Sequence, residues 1–449
     1  MTTSILWFRR DLRLGDHPAL LAAAAAADEV VPLFVLDPAL LRSAGARAGR
    51  LRASLTALRD DLDGALVIRT GDPAEVVPDL AAEVGADEVH VTVETTPYGR
   101  RRDERVAARL GAVGARLVPT GSPYAAGPGT VRTAQGGPYR VFTPFSRAWR
   151  AQGWPAPANP ADVAWRTGVP GEPLDGPDEP DDAGERAALK RWKAFLETEL
   201  TSYGIDRDRP DLDATSRMSV PLKYGEVHPR TLLADLAPRR SPATATSVDR
   251  FVTELAWREF YADVLWHDPE SAWHDWRDEL RGMPYDDEPG LVEAWRAGRT
   301  GYPFVDAGMR QLLAEGWMHN RLRMVTASFL VKDLHTWWPV GARHFLEHLL
   351  DGDLASNNHG WQWVAGTGTD AAPYFRVFNP VTQGLRFDPD GDYVRRWVPE
   401  LRHLSGAAVH EPWRHDDGYD RGYAERVVDH ADERRDALAR LAVVKGRPR

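Results

Sequence analysis

The stretch SILWFRRDLRLGDHPALLAAAAAADEVVPLFVL, residues 4–36, decides the architecture of the N-terminal part of the chain. Residues 4–8 and 29–36 are apolar runs of strand length, and residues 18–27 between them have the Ala- and Leu-rich composition of a helix. Two strands joined through a helix form a β-α-β unit, in which the strands run parallel. The alternation continues: strand-length runs at 66–69, 88–93 and 117–118 are interleaved with helical segments at 47–62, 73–84 and 101–113. Short strands without polar alternation are buried on both faces, so the expectation is a doubly wound α/β domain that binds ligands beyond its strand C-termini.

Downstream the pattern changes. Residues 124–184 are rich in Pro, Gly, Asp and Trp, lack sustained periodicity and include the acidic run 175–182, which reads as a long surface connector. From residue 185 onward helical spacing dominates, at 186–203, 228–236, 247–266, 291–297, 305–315, 320–338 and 343–349, and 424–445 closes the chain as a charged helix. The expected organisation is an α/β domain over 1–124, a connector over 125–184 and an all-helical domain over 185–449.

Composition narrows the function classes. No apolar run approaches the roughly 20 residues of a membrane helix. The first residues lack the features of a signal peptide, so a cytoplasmic protein is expected, and the absence of cysteine removes disulfides, thiolate nucleophiles and iron-sulfur clusters. A net charge of -10 means that any nucleic-acid site must be a local basic patch. Seventeen tryptophans against six methionines call for large aromatic cores or stacking surfaces.

His344-Phe345-Leu346-Glu347-His348 fits the H-x-x-E-H pattern of certain zinc peptidases, but five residues in a chain with 14 histidines specify little, and no metal is expected. Gly366-Thr367-Gly368 lacks the third glycine of a dinucleotide fingerprint, and no P-loop motif occurs. The segment 317–379 stands out because it places Asn320, Arg321, Arg323, Asp351, Asp353, Asn357, Asp370 and Arg376 among Leu, Phe and Trp residues. Buried polar groups need partners, and a large polar ligand would supply them; a structural Arg-Asp network is the alternative. Thr215-Ser216-Arg217-Met218-Ser219 reads either as a helix N-cap or as a phosphate-binding helix start.

Several of these segments, taken in order, resemble one family. They are Trp7-Phe8-Arg9-Arg10-Asp11-Leu12-Arg13, Thr215 to Ser219, Glu254-Leu255-Ala256-Trp257-Arg258-Glu259-Phe260-Tyr261, Gly301-Tyr302-Pro303 and His319-Asn320-Arg321-Leu322-Arg323-Met324. Asp351-Gly352-Asp353-Leu354, Trp361-Gln362-Trp363 and Phe378-Asn379-Pro380 follow. Together they are similar to the photolyase/cryptochrome family, and within it to the class I cyclobutane pyrimidine dimer photolyases, from residue 4 to about residue 445.

The resemblance implies an antenna-binding α/β domain, a helical FAD-binding domain and light-driven repair of pyrimidine dimers in UV-damaged DNA by a monomer. It assigns Tyr203, Thr215, Ser216, Arg217, Met218 and Ser219 to the FAD phosphates, and Asn320, Arg323, Asp351 and Asp353 to the rest of the cofactor, with Asn357 facing flavin N5. Glu254, Trp257, Met324 and Trp363 would meet the flipped-out lesion, while Arg258, Arg321 and Arg376 would neutralise flanking phosphates. Trp361 and Trp338 would pass electrons to the flavin, with Tyr285 as distal donor and Asp286 or Asp287 as acceptor of its proton. Gly99, where folate-binding relatives carry an acid, makes an 8-hydroxy-5-deazaflavin antenna the expectation over methenyltetrahydrofolate. His359 replaces the glycine of many relatives and either alters the flavin surroundings or points outward. A cryptochrome receptor and a (6-4) photolyase are the alternative readings; Asn357 and the lesion set disfavour the first, and His319-Asn320 in place of a histidine pair disfavours the second.

Overall fold

The computed structural model of the chain describes residues 1–42, 45–160, 162–174, 182–370 and 375–446. Its five strands are β1 (Thr3–Phe8), β2 (Glu29–Leu36), β3 (Val67–Thr70), β4 (Glu88–Val91) and β5 (Arg116–Pro119). They form one parallel sheet in the order β3-β2-β1-β4-β5, with β1 in register with β2 from Thr3↔Glu29 to Phe8↔Phe34. Alternate side chains enter opposite cores. Ile5 and Trp7 join Val31, Leu33 and Val35 on one face, while Leu6 and Phe8 join Val30 and Phe34 on the other. Burial on both faces is why these strands read as unbroken apolar runs. Pro18, Pro73 and Pro97 open three of the covering helices, where a missing N–H costs nothing, and the side chains of His17, Asp72 and Thr96 cap them.

The chain divides into two compact units, one of residues 1–139, 143–201 and 216–269, the other of 140–142, 202–215 and 270–449. This division does not coincide with the expected boundaries at 124 and 184. The long helix Ala245–His267 belongs with the sheet, because Glu259 accepts backbone N–H bonds from Ala125, Ala126 and Gly127 at 3.1, 3.0 and 2.6 Å. Asp263 accepts another from Gly129 at 2.6 Å. Residues 125–184 are also more than a connector: Phe142–Gln152 is a helix, and its Phe145 and Trp149 are fully buried. Of the acidic run, residues 175–181 lie outside the described residues.

The second unit is helical. Its core collects Trp295, Tyr302, Phe304, Trp338, Phe345 and Trp361, which accounts for part of the tryptophan excess. The segment expected as one helix over 320–338 is two, Asn320–Lys332 and Trp338–His348. Pro339 sits in the first turn of the second helix and cannot continue the first, and His335 between them takes a left-handed φ of 46°. The closing helix is His430–Lys445. Among the described residues no helix is long and apolar enough to cross a membrane.

Candidate functional site

Two helices of the second unit, Asn320–Lys332 and Leu354–Ala365, carry Asn320, Arg321, Arg323 and Asn357, and Asp351 and Asp353 lie in the turn that leads into the second of them. Arg323 donates to Asp351 Oδ2 at 2.8 Å and, through Nε, to the Met318 carbonyl at 2.8 Å. The other oxygen of Asp351 is buried and has no hydrogen-bond partner among the described residues. Asp353 caps the next helix, accepting from the Ser356 N–H at 2.9 Å. Asn320 is exposed at the start of its own helix, which His319 caps through Nδ1 at 3.1 Å from the Arg321 N–H. Burial pushes the His319 imidazole down to about 4, so this cap is neutral near pH 7.

Asn357 spends both amide hydrogens inside the protein, on the Ala342 carbonyl at 3.1 Å and on Asn358 Oδ1 at 2.8 Å. A carbonyl can only accept, so the amide orientation is fixed and its oxygen is the atom left to offer. Asn358 and Gln362 are structural: Asn358 donates to the Ala272 carbonyl, and Gln362 donates to Ser271 O at 2.7 Å and accepts from Trp276 N at 2.9 Å. His359 does not point outward. It is 1% exposed, 3.4 Å from Ser271 Oγ, and burial lowers its pKa to about 4.

Met324 and Trp363 are half-buried at the margin of the core. Arg376 is exposed, its guanidinium 6.0 Å from the Trp363 ring centre. Two anchors hold the segment around it, and the sequence flagged neither. Ser328 Oγ accepts from Phe378 N at 3.2 Å, and Lys332, 2% exposed, donates to the Arg376 carbonyl while lying 4.0 Å from the Phe375 ring centre. Burial takes the Lys332 amine down to about 7.

Trp361 packs edge-on against Phe345 at 4.9 Å and Trp295 at 6.0 Å, with its indole N–H buried and unpartnered among the described residues. Gly341 makes room for it, since a Cβ there would run into the indole ring. Trp338 donates its indole N–H to Asp275 at 2.7 Å. Burial, with Asp275 adding to it, raises the Tyr285 phenol above its ordinary value. Asp286 is not a free proton acceptor for it: Arg440 donates to both its oxygens, at 2.8 and 2.7 Å, and holds the carboxyl below the usual range.

Two family models match the chain, DNA photolyase over residues 4–161 and the FAD binding domain of DNA photolyase over 251–443. Across 97% of its length the chain is 42% identical to the deoxyribodipyrimidine photo-lyase of Streptomyces griseus, 98% of which is covered. The chain belongs to the DNA photolyase family. Its fold is similar to that of a bacterial class III photolyase from Agrobacterium tumefaciens, with a TM-score of 0.93, 38% identity and coverage of 100% of this chain and 98% of that one. It is also similar to an archaeal photolyase from Sulfolobus tokodaii with two FAD molecules, at a TM-score of 0.87 and 28% identity over 98% and 99% of the two chains.

For a photolyase the polar set fits FAD. The Asp351 oxygen without a partner among the described residues, the Asn357 side-chain oxygen and the half-exposed Arg323 form a donor and acceptor set that a ribityl chain and flavin ring would complete. Tyr203 is buried, with the Arg207 guanidinium 5.6 Å from its ring centre. The N-cap reading of Thr215 and Ser216 needs correction: the helix begins only at Ser219, Ser216 Oγ accepts instead from Met218 N at 3.2 Å, and Arg217 takes a left-handed φ of 54°.

Within the first unit, Glu254 and Trp257 lie one turn apart on Ala245–His267, both half-buried. Arg258 beside them is committed internally, donating to the Pro123 and Leu222 carbonyls at 3.1 and 3.2 Å with its guanidinium over Tyr124. In the second unit Arg321 is likewise engaged, 2.9 Å from Asp208 and 4.1 Å from the Phe387 ring centre. Of these three photolyase arginines, Arg376 is the exposed one.

Beyond the C-termini of β2 and β4, Tyr98 donates to Asp37 Oδ2 at 2.5 Å, and burial with the Asp37 bond pushes the phenol up to about 12. Glu94 fills the space next to Gly99 so closely that any side chain at 99 would collide with it. Burial would raise the Glu94 carboxyl, but Arg10, Arg102 and Arg9 hold it down to about 2. These residues lie where ligands of doubly wound sheets bind.

Proposed function

We propose that this photolyase-family chain splits cyclobutane pyrimidine dimers in UV-damaged DNA, using light and bound FAD. The observation that carries the reading is the pairing of Arg323 with the buried Asp351, whose other oxygen has no partner among the described residues; Arg323 shares its helix with the half-buried Met324, and Asp351 precedes the helix that carries Trp363. Bound, FAD supplies a photoexcitable electron donor.

The remaining roles are assigned to the protein's own side chains. Arg323, Asp351, Asp353, Asn320 and Asn357 hold and orient the flavin and ribityl part, with the Asn357 oxygen accepting; Tyr203 and residues 215–219 serve the phosphates. Trp363 and Met324 offer an aromatic and a soft apolar surface to a flipped base, and Glu254 and Trp257 recognise the lesion. Arg376 is the principal phosphate contact, because it is the exposed one of the three arginines. Trp361, Trp338 and Tyr285 form the route for flavin reduction, and Asp275, held against Trp338, takes the place of Asp286 as the carboxylate of that route.

The region expected over residues 1–124 serves as an antenna domain. Its second chromophore is a deazaflavin in preference to a folate, because Gly99 lacks the acidic side chain that folate-binding relatives carry at this position. The protein acts as a monomer in the cytoplasm. The deciding experiment is to reduce the FAD-loaded chain, illuminate it with a dimer-containing oligonucleotide and follow recovery of intact pyrimidines by chromatography, with a dark control. FAD-loaded protein that leaves dimers intact under light would refute the repair reading and point to the receptor alternative.

A further inference from the structure

The motif set aside in the sequence returns in the structure. His344, Glu347 and His348 project from one face of the helix Trp338–His348, at the i, i+3 and i+4 spacing that brings side chains together. One imidazole nitrogen of each histidine and one carboxylate oxygen of Glu347 lie within 4.8 Å of one another, and the two imidazole rings are 4.4 Å apart. His344 is 6% exposed, and its buried Nε2 has no hydrogen-bond partner among the described residues. His348 Nδ1 is 2.9 Å from the His344 carbonyl. A carbonyl accepts only, so Nδ1 carries the hydrogen and Nε2 keeps its lone pair; a backbone carbonyl commonly orients metal-binding histidines in this way. Glu347 is exposed and His348 half-exposed, which leaves a path for an ion and a coordination position open to water.

We infer that His344, Glu347 and His348 form a binding site for a borderline divalent cation of the zinc class, bound by two imidazole nitrogens and one carboxylate oxygen. The ligand chemistry selects Zn²⁺, Ni²⁺ or Cu²⁺ over Mg²⁺ and Ca²⁺, which favour all-oxygen sites. Arg296 is the opposing charge near His344, and it is itself drawn to Glu293 at 3.8 Å. Rotation of the exposed Glu347 side chain can bring its carboxylate toward the two imidazoles without disturbing the bond from His348 Nδ1 to the His344 carbonyl. The site is distinct from the polar set around Asp351, and it requires no hydrolytic role for Glu347. It adjoins the aromatic core, since the His344 ring lies 5.4 Å from Trp295, which is 6.0 Å from Trp361.

A second candidate cluster makes the test specific. His335 lies 2.8 Å from Glu433 and 3.4 Å from Asp436, but Arg440 sits 2.8 Å from Asp436 and competes with any cation there. The full chain, stripped with chelator, would be titrated with zinc chloride by calorimetry and, separately, with copper(II) chloride while tryptophan fluorescence is followed. We expect one saturable zinc site and copper quenching, both lost in His348→Ala. Glu347→Gln should weaken zinc by at least the about tenfold that loss of an outer-sphere partner costs at metal sites. His348→Ala alters a half-exposed side chain, so circular dichroism should verify that it folds. The inference is overturned if no saturable zinc binding occurs, if His348→Ala and Glu347→Gln bind as the unaltered chain does, or if binding is lost in Glu433→Gln instead.

Discussion

Lys332 offers a measurement in which the structure fixes both sign and size. Its amine is 2% exposed, faces the Arg376 carbonyl and the Phe375 ring, and feels Asp333 and Arg376 as charged neighbours. Asp333, itself buried and bound to His430, acts against the burial but does not cancel it. Burial lowers the amine from 10.5 to about 7. That fall corresponds to about 5 kcal/mol in favour of the neutral amine. An unfolded lysine keeps its ordinary value, so between these limits the unfolded chain binds more protons, and stability rises with pH. Below the lower limit the folded protein carries the whole cost of the buried charge; above the upper one it carries none. Lys332→Met keeps the apolar stem, removes the charge and leaves the Arg376 carbonyl without this donor, a loss of about 1 to 3 kcal/mol. The variant should therefore be more stable than the parent by about 2 to 4 kcal/mol near pH 6. The advantage should vanish or reverse by about pH 10. Urea unfolding followed by tryptophan fluorescence, run on both proteins across this range, measures the difference. A stability difference that stays constant with pH would refute a buried lysine that titrates near neutrality.

Asp351→Asn keeps the side-chain shape but removes the charge opposite Arg323, so the purified variant should retain less FAD, read from the flavin-to-protein absorbance ratio; unchanged retention would remove Asp351 from the cofactor site. Arg376→Ala should lower the slope of log affinity against log salt for dimer-containing DNA by about 1. Arg258→Ala should leave that slope unchanged, because its guanidinium is spent on the Pro123 and Leu222 carbonyls.

The sheet was legible because strands buried on both faces leave uninterrupted apolar runs, and Ile5, Leu6, Trp7 and Phe8 admit few other readings. The meeting of Arg323 with Asp351 was legible through family resemblance, since 28 positions separate them and no local pattern pairs them. Three things escaped. The helix Phe142–Gln152 shows only Phe142, Phe145 and Trp149 as its apolar stripe, in a segment crowded with proline and glycine. Lys332 at the end of an amphipathic helix reads as a solvated charge favourable to the helix dipole, and its burial comes from residues 375 and 376, remote in sequence. The internal engagement of Arg258 rests on backbone carbonyls, which carry no residue identity for a sequence reading to find.

The collision that a side chain at Gly341 would make with Trp361 ties two positions twenty residues apart into one fixed volume. Neither can drift alone. A methyl group at 341 demands a smaller ring at 361 together with a shift of the Leu330 side chain, and a smaller ring at 361 leaves a void over bare backbone that a larger residue at 341 would help to fill. Substitutions at the two sites should therefore be tolerated as a pair and rejected singly, so a screen of double variants would find viable combinations that neither single series contains.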